Sequence, residues 1–182
     1  MTTTTEIDLQ RFCDPTSSRM TLGKPFVKDG LRCGCDARVL VCISAPGEPD
    51  TEGRLPKIRE LLADNIGDLK PWPRVEICST CQGKGETEKT CDSCFGDGKC
   101  DRCPCEHVHD CGYCDGTGMA TDVCDCRAER IDFDGVDVSR YYTTMIGTLP
   151  NVRYWLDSKD KVRFVFDGNG EGVVMAICKD KD

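Results

Sequence analysis

Cysteine is concentrated in one part of this chain. Eleven of the sixteen cysteines lie between residues 78 and 126. The unit Cys-x-x-Cys-x-Gly-x-Gly occurs there three times, starting at Cys78, Cys91 and Cys111, and a shorter Cys-Asp-Cys starts at Cys124. The residues between these cysteines are mostly polar, so the stretch has few apolar side chains with which to build a core. Such a stretch needs metal ions or disulfides to become ordered.

Zinc explains the repeated unit better than the alternatives do. Two thiolates separated by two residues can bind one tetrahedral zinc ion at about 2.3 Å per sulfur. The glycines allow the positive φ of a turn that points N–H groups at sulfur. A disulfide framework is typical of secreted chains, and the start of this sequence has no apolar signal segment. A redox Cys-x-x-Cys normally occurs once, at the start of a helix, whereas here it is repeated in loops.

The repeat resembles the cysteine-rich zinc domain of DnaJ-type co-chaperones. That domain has four repeats and binds two zinc ions, pairing repeat one with repeat four and repeat two with repeat three. The resemblance implies two sites in this chain, the first formed by Cys78, Cys81, Cys124 and Cys126 and the second by Cys91, Cys94, Cys111 and Cys114. The fourth repeat departs from the pattern, and the chain has no J-domain, no His-Pro-Asp tripeptide and no Gly/Phe-rich linker.

Five further candidate ligands have no equivalent in that domain: Cys100, Cys103, Cys105, His107 and His109. A third zinc site, for instance from Cys100, Cys103, Cys105 and His109, is one interpretation. The others are spare thiols, solvated loop histidines, or a shifted pairing in which these cysteines replace Cys124 and Cys126. We therefore expect two zinc ions and leave a third open.

The ligand count favours a structural metal over a catalytic one. A catalytic zinc keeps one coordination position open, often next to a glutamate that acts as base, whereas four thiolates close the site. The sequence has no His-Glu-x-x-His motif, no P-loop and no Gly-x-Ser-x-Gly. We expect a non-enzymatic protein without catalytic or organic-cofactor residues.

Charge argues against nucleic acid as the partner of the cysteine-rich stretch. The whole chain carries a net charge of −8. Between residues 78 and 126, four Lys/Arg and ten Asp/Glu give 4 − 10 = −6. Two tetrathiolate zinc ions, each −4 + 2 = −2, would bring the stretch to −10. Because such a surface repels phosphate, we expect a protein partner and no direct nucleic-acid binding by this module.

The rest of the chain predicts an α+β fold, a small sheet with two helices. Residues 1–20 are expected to form a flexible arm with Cys13 as a free thiol, residues 21–77 and 127–182 a discontinuous domain, and residues 78–126 an inserted loop-rich zinc module. The predicted elements are strands within 24–44 around an Asp29-Gly30 turn, a helix carrying Leu55, Ile58, Leu61, Leu62 and Ile66, a strand at 74–77, a strand at 131–133, a helix after Ser139, and strands at 152–156, 162–166 and 172–177. Cys33, Cys35 and Cys42 are expected to be core residues of these strands.

A second resemblance concerns this outer domain. The segment Leu31-Arg-Cys-Gly-Cys-Asp-Ala-Arg-Val-Leu40 and the tail Gly172-Val-Val-Met-Ala-Ile177 resemble parts of a bacterial β sliding clamp repeat. Ala37 stands where the clamp motif has glycine, and no histidine precedes Arg38. The layout is also similar to small uncharacterised phage proteins with a cysteine-rich insert. The resemblance implies a clamp-like domain.

These observations lead to one expected function and two alternatives. We expect a non-enzymatic zinc-binding protein-interaction factor, acting in phage DNA metabolism or on a host protein if the phage likeness holds. The alternatives are a DnaJ-like chaperone or thiol-active factor that binds unfolded protein, and a DNA-associated clamp-like protein. No apolar run approaches the roughly 18 residues of a membrane span, so a cytoplasmic location is expected. Whether the chain forms homo-oligomers stays open.

Overall fold

The chain divides into two compact units. The computed structural model describes residues 7–53, 55–62, 66–100, 109–158 and 160–177. Met1–Glu76 together with Glu129–Asp182 form one unit, here called the sheet unit. Ile77–Ala128 form the other, here called the cysteine unit.

The elements within the described residues are mostly strands. In chain order the strands are β1 (Phe26–Lys28), β2 (Leu31–Cys35), β3 (Val39–Ser44), β4 (Lys70–Pro71), β5 (Glu86–Thr90), β6 (Lys99–Cys100), β7 (His109–Asp110), β8 (Met119–Val123), β9 (Arg130–Phe133), β10 (Val136–Ser139), β11 (Arg153–Ser158), β12 (Lys161–Phe166) and β13 (Gly170–Met175). The helices are α1 (Met20–Gly23), α2 (Ile58–Leu61) and α3 (Arg140–Ile146), and short 3-10 turns lie at Leu9–Phe12 and Asp125–Arg127. This content is compatible with the predicted α+β class.

The sheet unit is built on an open antiparallel sheet. Its strand order is β1-β2-β3-β13-β12-β11-β4. Val162, Phe164 and Phe166 are every second residue of β12, so their side chains point to the same face of the sheet, as the sequence pattern predicts. That face packs against α3 and the β9–β10 hairpin, and forms the larger core cluster. The opposite face is covered by α2, with Ile58 and Leu62 against β2 and β3.

One charged side chain lies in the interior of the sheet unit. Arg163 of β12 is only 1% exposed, and its guanidinium carbon lies 5.3 Å from the ring centroid of Trp155. None of its three side-chain nitrogens has a hydrogen-bond partner among the described residues. Stacking on an aromatic ring offsets about 2 kcal/mol of the desolvation cost, less than an isolated buried charge requires.

Several predicted elements of the sheet unit are confirmed. The hairpin turn has φ of +53° at Asp29 and +74° at Gly30, which only a few residue types adopt readily. The strands at 152–156, 162–166 and 172–177 correspond to β11, β12 and β13. Helix α3 begins directly after Ser139, and Cys33 and Cys42 are buried, while Cys35 is half-buried.

The predicted flexible arm is wrong for residues 7–20. Leu9 and Phe12 are buried in the larger core cluster, at 4% and 2% exposure. Three residues complete one turn of a 3-10 helix, so these two side chains lie on the same face of Leu9–Phe12. The side chain of Asp8 accepts the N–H of Gln10 at 3.0 Å and caps this turn. Residues 1–6 lie outside the described residues.

Two predictions between residues 55 and 77 are also wrong. The predicted helix ends at Leu61, and Ile66 is 62% exposed, although its spacing continues the helical pattern. Gly67 instead approaches Trp155 so closely that a Cβ there would lie 2.7 Å from the ring. Residues 74–77 form no strand. The pairing with β11 occurs earlier, at Lys70–Pro71, because the prolines on either side of Trp72 have no N–H to extend a ladder.

Candidate metal centre

The structure gathers eight cysteines into two groups of four. Cys78, Cys81, Cys124 and Cys126 form cluster one, and Cys91, Cys94, Cys111 and Cys114 form cluster two. Within each group all Sγ atoms lie within 4.8 Å of one another. These are the two sets that the DnaJ-type resemblance implies.

The spacing of the sulfurs matches a tetrahedral metal site. In cluster one the Sγ atoms of Cys78 and Cys124 are 3.8 Å apart and those of Cys81 and Cys126 are 3.4 Å apart. In cluster two the corresponding distances are 3.9 Å and 3.7 Å. A tetrahedron with zinc–sulfur bonds of about 2.3 Å has edges of about 3.8 Å. Each group of four cysteines is therefore compatible with one bound zinc ion.

The same turn supplies the second cysteine of each repeat. The residue after that cysteine and the following glycine both have positive φ, as in a type I′ turn, and the N–H of the next residue donates to the cysteine carbonyl. The donating residues are Lys84, Asp97 and Thr117, at 3.0, 3.0 and 2.9 Å. The N–H of the second glycine then points at sulfur, as in the 3.3 Å bond from Gly85 to Cys81 and the 3.2 Å bond from Gly118 to Cys114.

Cluster one closes at one end of the β5–β8 ladder. Glu86 pairs with Val123 in this ladder, so the cysteines before β5 and after β8 meet at the same end. The N–H of Cys124 donates to the carbonyl of Gly85 at 2.9 Å and fixes that junction. The 3-10 turn at Asp125–Arg127 then brings Cys126 into the cluster. This turn explains how Cys-Asp-Cys can replace the Cys-x-x-Cys of the other repeats.

Cluster two closes through a reciprocal contact between two glycine turns. The N–H of Cys91 donates to the carbonyl of Gly118, and the N–H of Cys111 donates to that of Gly98, each at 2.9 Å. A Cβ on Gly98 would lie 2.2 Å from the Gly116 oxygen, and one on Gly118 would lie 2.1 Å from the Gly96 oxygen. Only glycine allows this approach of backbone to backbone.

Hydrogen bonds and burial give the cysteine thiols of the two clusters different pKa values. Backbone N–H groups, chiefly that of Cys81, hold the pKa of Cys78 down to about 6. Burial opposes ionisation of Cys91, but backbone N–H donors, first that of Cys94, bring its pKa down to about 7. Burial and hydrogen bonds to neighbouring sulfurs raise the pKa of Cys94 to about 11. The pKa of Cys81 is lowered as well, so cluster one has two readily ionised sulfurs. A central divalent cation would favour the thiolate form of the other cysteines.

Of the five remaining predicted ligands, His109 belongs to neither cluster. Cys103, Cys105 and His107 lie outside the described residues. Cys100 and His109 face each other in the β6–β7 ladder, and His109 is exposed. The third site from Cys100, Cys103, Cys105 and His109 stays a prediction. The shifted pairing is contradicted, because Cys124 and Cys126 complete cluster one.

Sequence reasoning missed the ladder that carries both clusters. Strands β5 and β8 are mostly exposed, and neither shows the apolar alternation that predicts a strand. Threonine occurs twice in β5 and once in β8, and Nζ of Lys89 lies 2.9 Å from a carboxylate oxygen of Asp122 across the ladder. This β-branched content and the opposite charges are the only signals that could have indicated the pairing.

Comparison of the chain with protein-family models, curated proteins and solved structures gives no match. The DnaJ-type and clamp-like resemblances therefore rest on the motifs quoted above. No helix within the described residues has the length and apolar character needed to span a membrane.

Proposed function

We propose that this chain is a non-enzymatic zinc protein in which two tetrathiolate zinc ions order the cysteine unit as a platform for a protein partner. The observation that carries the proposal is the pair of four-cysteine clusters with the edge lengths of a tetrahedral zinc site. Four thiolates per ion leave no open position for a substrate or a reactive water, so the metal has a structural role.

The choice of zinc follows from the donor set. Tetrahedral groups of four thiolates favour zinc or iron among the metals available to proteins. Iron in such a site absorbs visible light and changes oxidation state, whereas zinc does neither. Zinc is therefore the ion expected in protein purified under reducing conditions.

Two exposed aromatic residues beside cluster two support the choice of this surface as the proposed partner-binding site. Phe95 follows Cys94 and is 72% exposed, and Tyr113 precedes Cys114 and is 80% exposed. The Sγ atoms of these two cysteines are 3.7 Å apart, so both aromatic residues lie at the same cluster. Exposed aromatic side chains are typical of the anchors of protein interfaces.

The backbone at Phe95 strengthens this interpretation. Its φ is +52°, a left-handed conformation that costs a bulky residue roughly 1–2 kcal/mol. The equivalent positions of the other repeats hold Gln82 and Asp115, which tolerate that conformation better. An unfavourable residue retained at an exposed position points to binding. Because the module is strongly acidic, the partner segment should place basic side chains around an apolar anchor.

Metal content tests the first half of the proposal. Native mass spectrometry of protein purified without added metal should show two zinc ions per chain. Three ions per chain would indicate a third site among the residues from Cys100 to His109. Iron, or no metal in a folded cysteine unit, would contradict the proposal.

Replacing Phe95 by glutamine, the residue at the equivalent position of the first repeat, tests the second half of the proposal, which is the partner-binding surface. Phe95→Gln places in the second repeat a side chain that the same turn already holds at Gln82, so zinc content and fold should not change. Proteins captured by the wild-type chain should be lost with Phe95→Gln and with Tyr113→Gln, and retained with the matched control Gln82→Ser. Equal capture by all four chains would show that this surface is not the binding site.

A DnaJ-like factor that binds unfolded protein is the second candidate. It is favoured by the pairing of repeat one with repeat four and repeat two with repeat three. This candidate predicts that the zinc-loaded chain suppresses aggregation of a denatured client at near-equimolar concentration. Failure to do so, with partner capture intact, would leave the interaction factor as the better proposal.

The DNA-associated clamp-like protein is the third candidate, and it rests on resemblance alone. The setting in phage DNA metabolism, and in a host cytoplasm, has the same basis. A gel shift with duplex DNA at low salt that disappears as salt rises would favour it. The net charge of −8 predicts that no shift occurs.

A further inference from the structure

The sheet unit contains a pair of cysteines outside the two clusters. Cys33 of β2 and Cys42 of β3 are directly opposite each other in the antiparallel register. The N–H of Asp36 donates to the carbonyl of Val39, and the N–H of Ala45 donates to that of Gly30. Gly30–Ala45 and Asp36–Val39 are therefore hydrogen-bonded pairs, and in this register so are the pairs formed by the even-numbered residues of β2. Cys33 and Cys42 therefore form a non-hydrogen-bonded pair, in which the Cα atoms are about 4.5 Å apart.

The two thiols already lie close together. Their Sγ atoms are 2.6 Å apart, less than the 3.4–3.9 Å between paired sulfurs of the two metal clusters. A Cα separation of about 4.5 Å is within the range that a disulfide can span, about 4.4–6.8 Å. Closing a bond between them thus requires no change of register and little movement of either strand.

The surroundings exclude a metal site and disfavour ionisation of Cys42. Both side chains are 0% exposed and belong to the apolar cluster formed with Leu40, Ile58 and Val173. The hydrogen bond with Cys33, together with burial, raises the pKa of Cys42 far above its usual range. Two sulfurs at this distance leave no room for an ion between them. The pair is therefore placed for covalent rather than ionic chemistry.

We propose that Cys33 and Cys42 form a reversible cross-strand disulfide when the chain meets an oxidising low-molecular-weight disulfide such as glutathione disulfide. When local opening of the β1–β2 edge exposes one of the two cysteines, its thiolate attacks glutathione disulfide and releases one glutathione thiolate, leaving a mixed disulfide. The second cysteine then attacks the first cysteine's sulfur in this mixed disulfide and releases the other glutathione. Two cysteine thiols lose two electrons and two protons, and one glutathione disulfide becomes two glutathione thiols.

The bond would act on the edge of the sheet. Strand β1 lies at the edge of the sheet and pairs with β2. A covalent link between β2 and β3 would fix the β1–β2 hairpin and raise the stability of the sheet unit. In a reducing compartment the link would be open, so the unit would respond to the redox state around it.

Thiol mapping tests the proposal. Zinc-loaded protein is equilibrated with a series of glutathione to glutathione-disulfide ratios, alkylated in denaturant and digested. The expected product is one peptide pair joined through Cys33 and Cys42, with zinc content unchanged. The melting temperature should rise by roughly 5–10 °C on oxidation.

Cys35 offers the matched control. It lies on the same strand and the same face as Cys33, but Leu40 rather than a cysteine faces it. Cys35→Ser should oxidise as the wild type does, whereas Cys42→Ser should not form the linked peptide. Alkylation of both Cys33 and Cys42 at the most oxidising ratio would overturn the proposal. So would a stalled glutathione adduct on either residue, or linkage through other cysteines.

Discussion

In the sheet unit, Phe164 and Phe166 project from β12 into a core of apolar side chains, whereas the buried apolar side chains described between Ile77 and Ala128 are all cysteines. The first unit is ordered by burial of hydrocarbon, and the second depends on what its sulfurs bind. Glycine shows the same contrast. Gly170 and Gly172 make room for the phenylalanine rings, while Gly98 and Gly118 make room for backbone oxygens.

Loss of a cluster ligand should have the largest effect, and should be confined to one unit. Cys94→Ser removes one of four sulfurs from cluster two, and structural zinc contributes on the order of 10 kcal/mol to small domains of this kind. We expect amide signals of the cysteine unit to collapse in a two-dimensional NMR spectrum while those of the sheet unit persist. Cys13→Ser is the control and should leave both sets unchanged. Collapse of the sheet-unit signals as well would contradict the claim that the two units are stabilised independently.

The converse change should affect only the sheet unit. Phe164 is fully buried, and removing a buried phenylalanine side chain costs about 3–5 kcal/mol. Phe164→Ala should therefore lower the urea midpoint of the sheet signals and leave the zinc stoichiometry at its wild-type value. Release of zinc at the same urea concentration as sheet unfolding would show that the units are not independent.

Glycine substitutions test the packing within cluster two. Gly98→Ala adds a Cβ 2.2 Å from a carbonyl oxygen at a φ of +69°, and should cost more than about 2 kcal/mol. Gly112→Ala is the matched control, because a Cβ there meets nothing within 4 Å. A competing chelator should remove zinc from Gly98→Ala at lower concentration than from the control. Identical chelator curves for the two variants would refute the close approach.

Arg163 is the exception to the apolar character of the sheet unit. Replacing a buried, unpaired charge by an apolar side chain of similar length is often neutral or stabilising. Arg163→Met should change the free energy of unfolding by between zero and a gain of about 2 kcal/mol, since stacking on Trp155 is also lost. A loss larger than about 2 kcal/mol in urea denaturation would indicate a partner for the guanidinium outside the described residues.

Relief of the backbone at Phe95 should have the smallest effect. Asparagine adopts the left-handed region more readily, so Phe95→Asn should stabilise the cysteine unit by up to about 1 kcal/mol. Asp115→Asn, at the equivalent position of the third repeat, should change nothing. The measurement is the chelator concentration that releases half of the zinc. A less stable Phe95→Asn would mean that the ring supports the fold rather than a partner.

Local sequence patterns made much of this structure predictable. The elements that were not predicted depend on tertiary contacts between distant parts of the chain. The repeated cysteines and glycines indicated the eight clustered residues because each repeat forms the same short turn. Strand β12 was predictable from its apolar alternation, and the turn residues 167–170 indicated where β13 follows it. The end of helix α2 was not predictable, because Ile66 continues a helical spacing that the approach of Gly67 to Trp155 overrides. The burial of Leu9 and Phe12 depends on distant strands that no local pattern shows.

The central claim is that zinc bound by thiolates replaces an apolar core between Ile77 and Ala128. X-ray absorption at the zinc edge measures this directly, because it reports the type, number and distance of the ligand atoms. The account predicts four sulfur ligands per zinc at about 2.3 Å, with two zinc ions per chain. Nitrogen or oxygen ligands in place of sulfur, or a folded cysteine unit whose sulfurs are joined in disulfides, would contradict it.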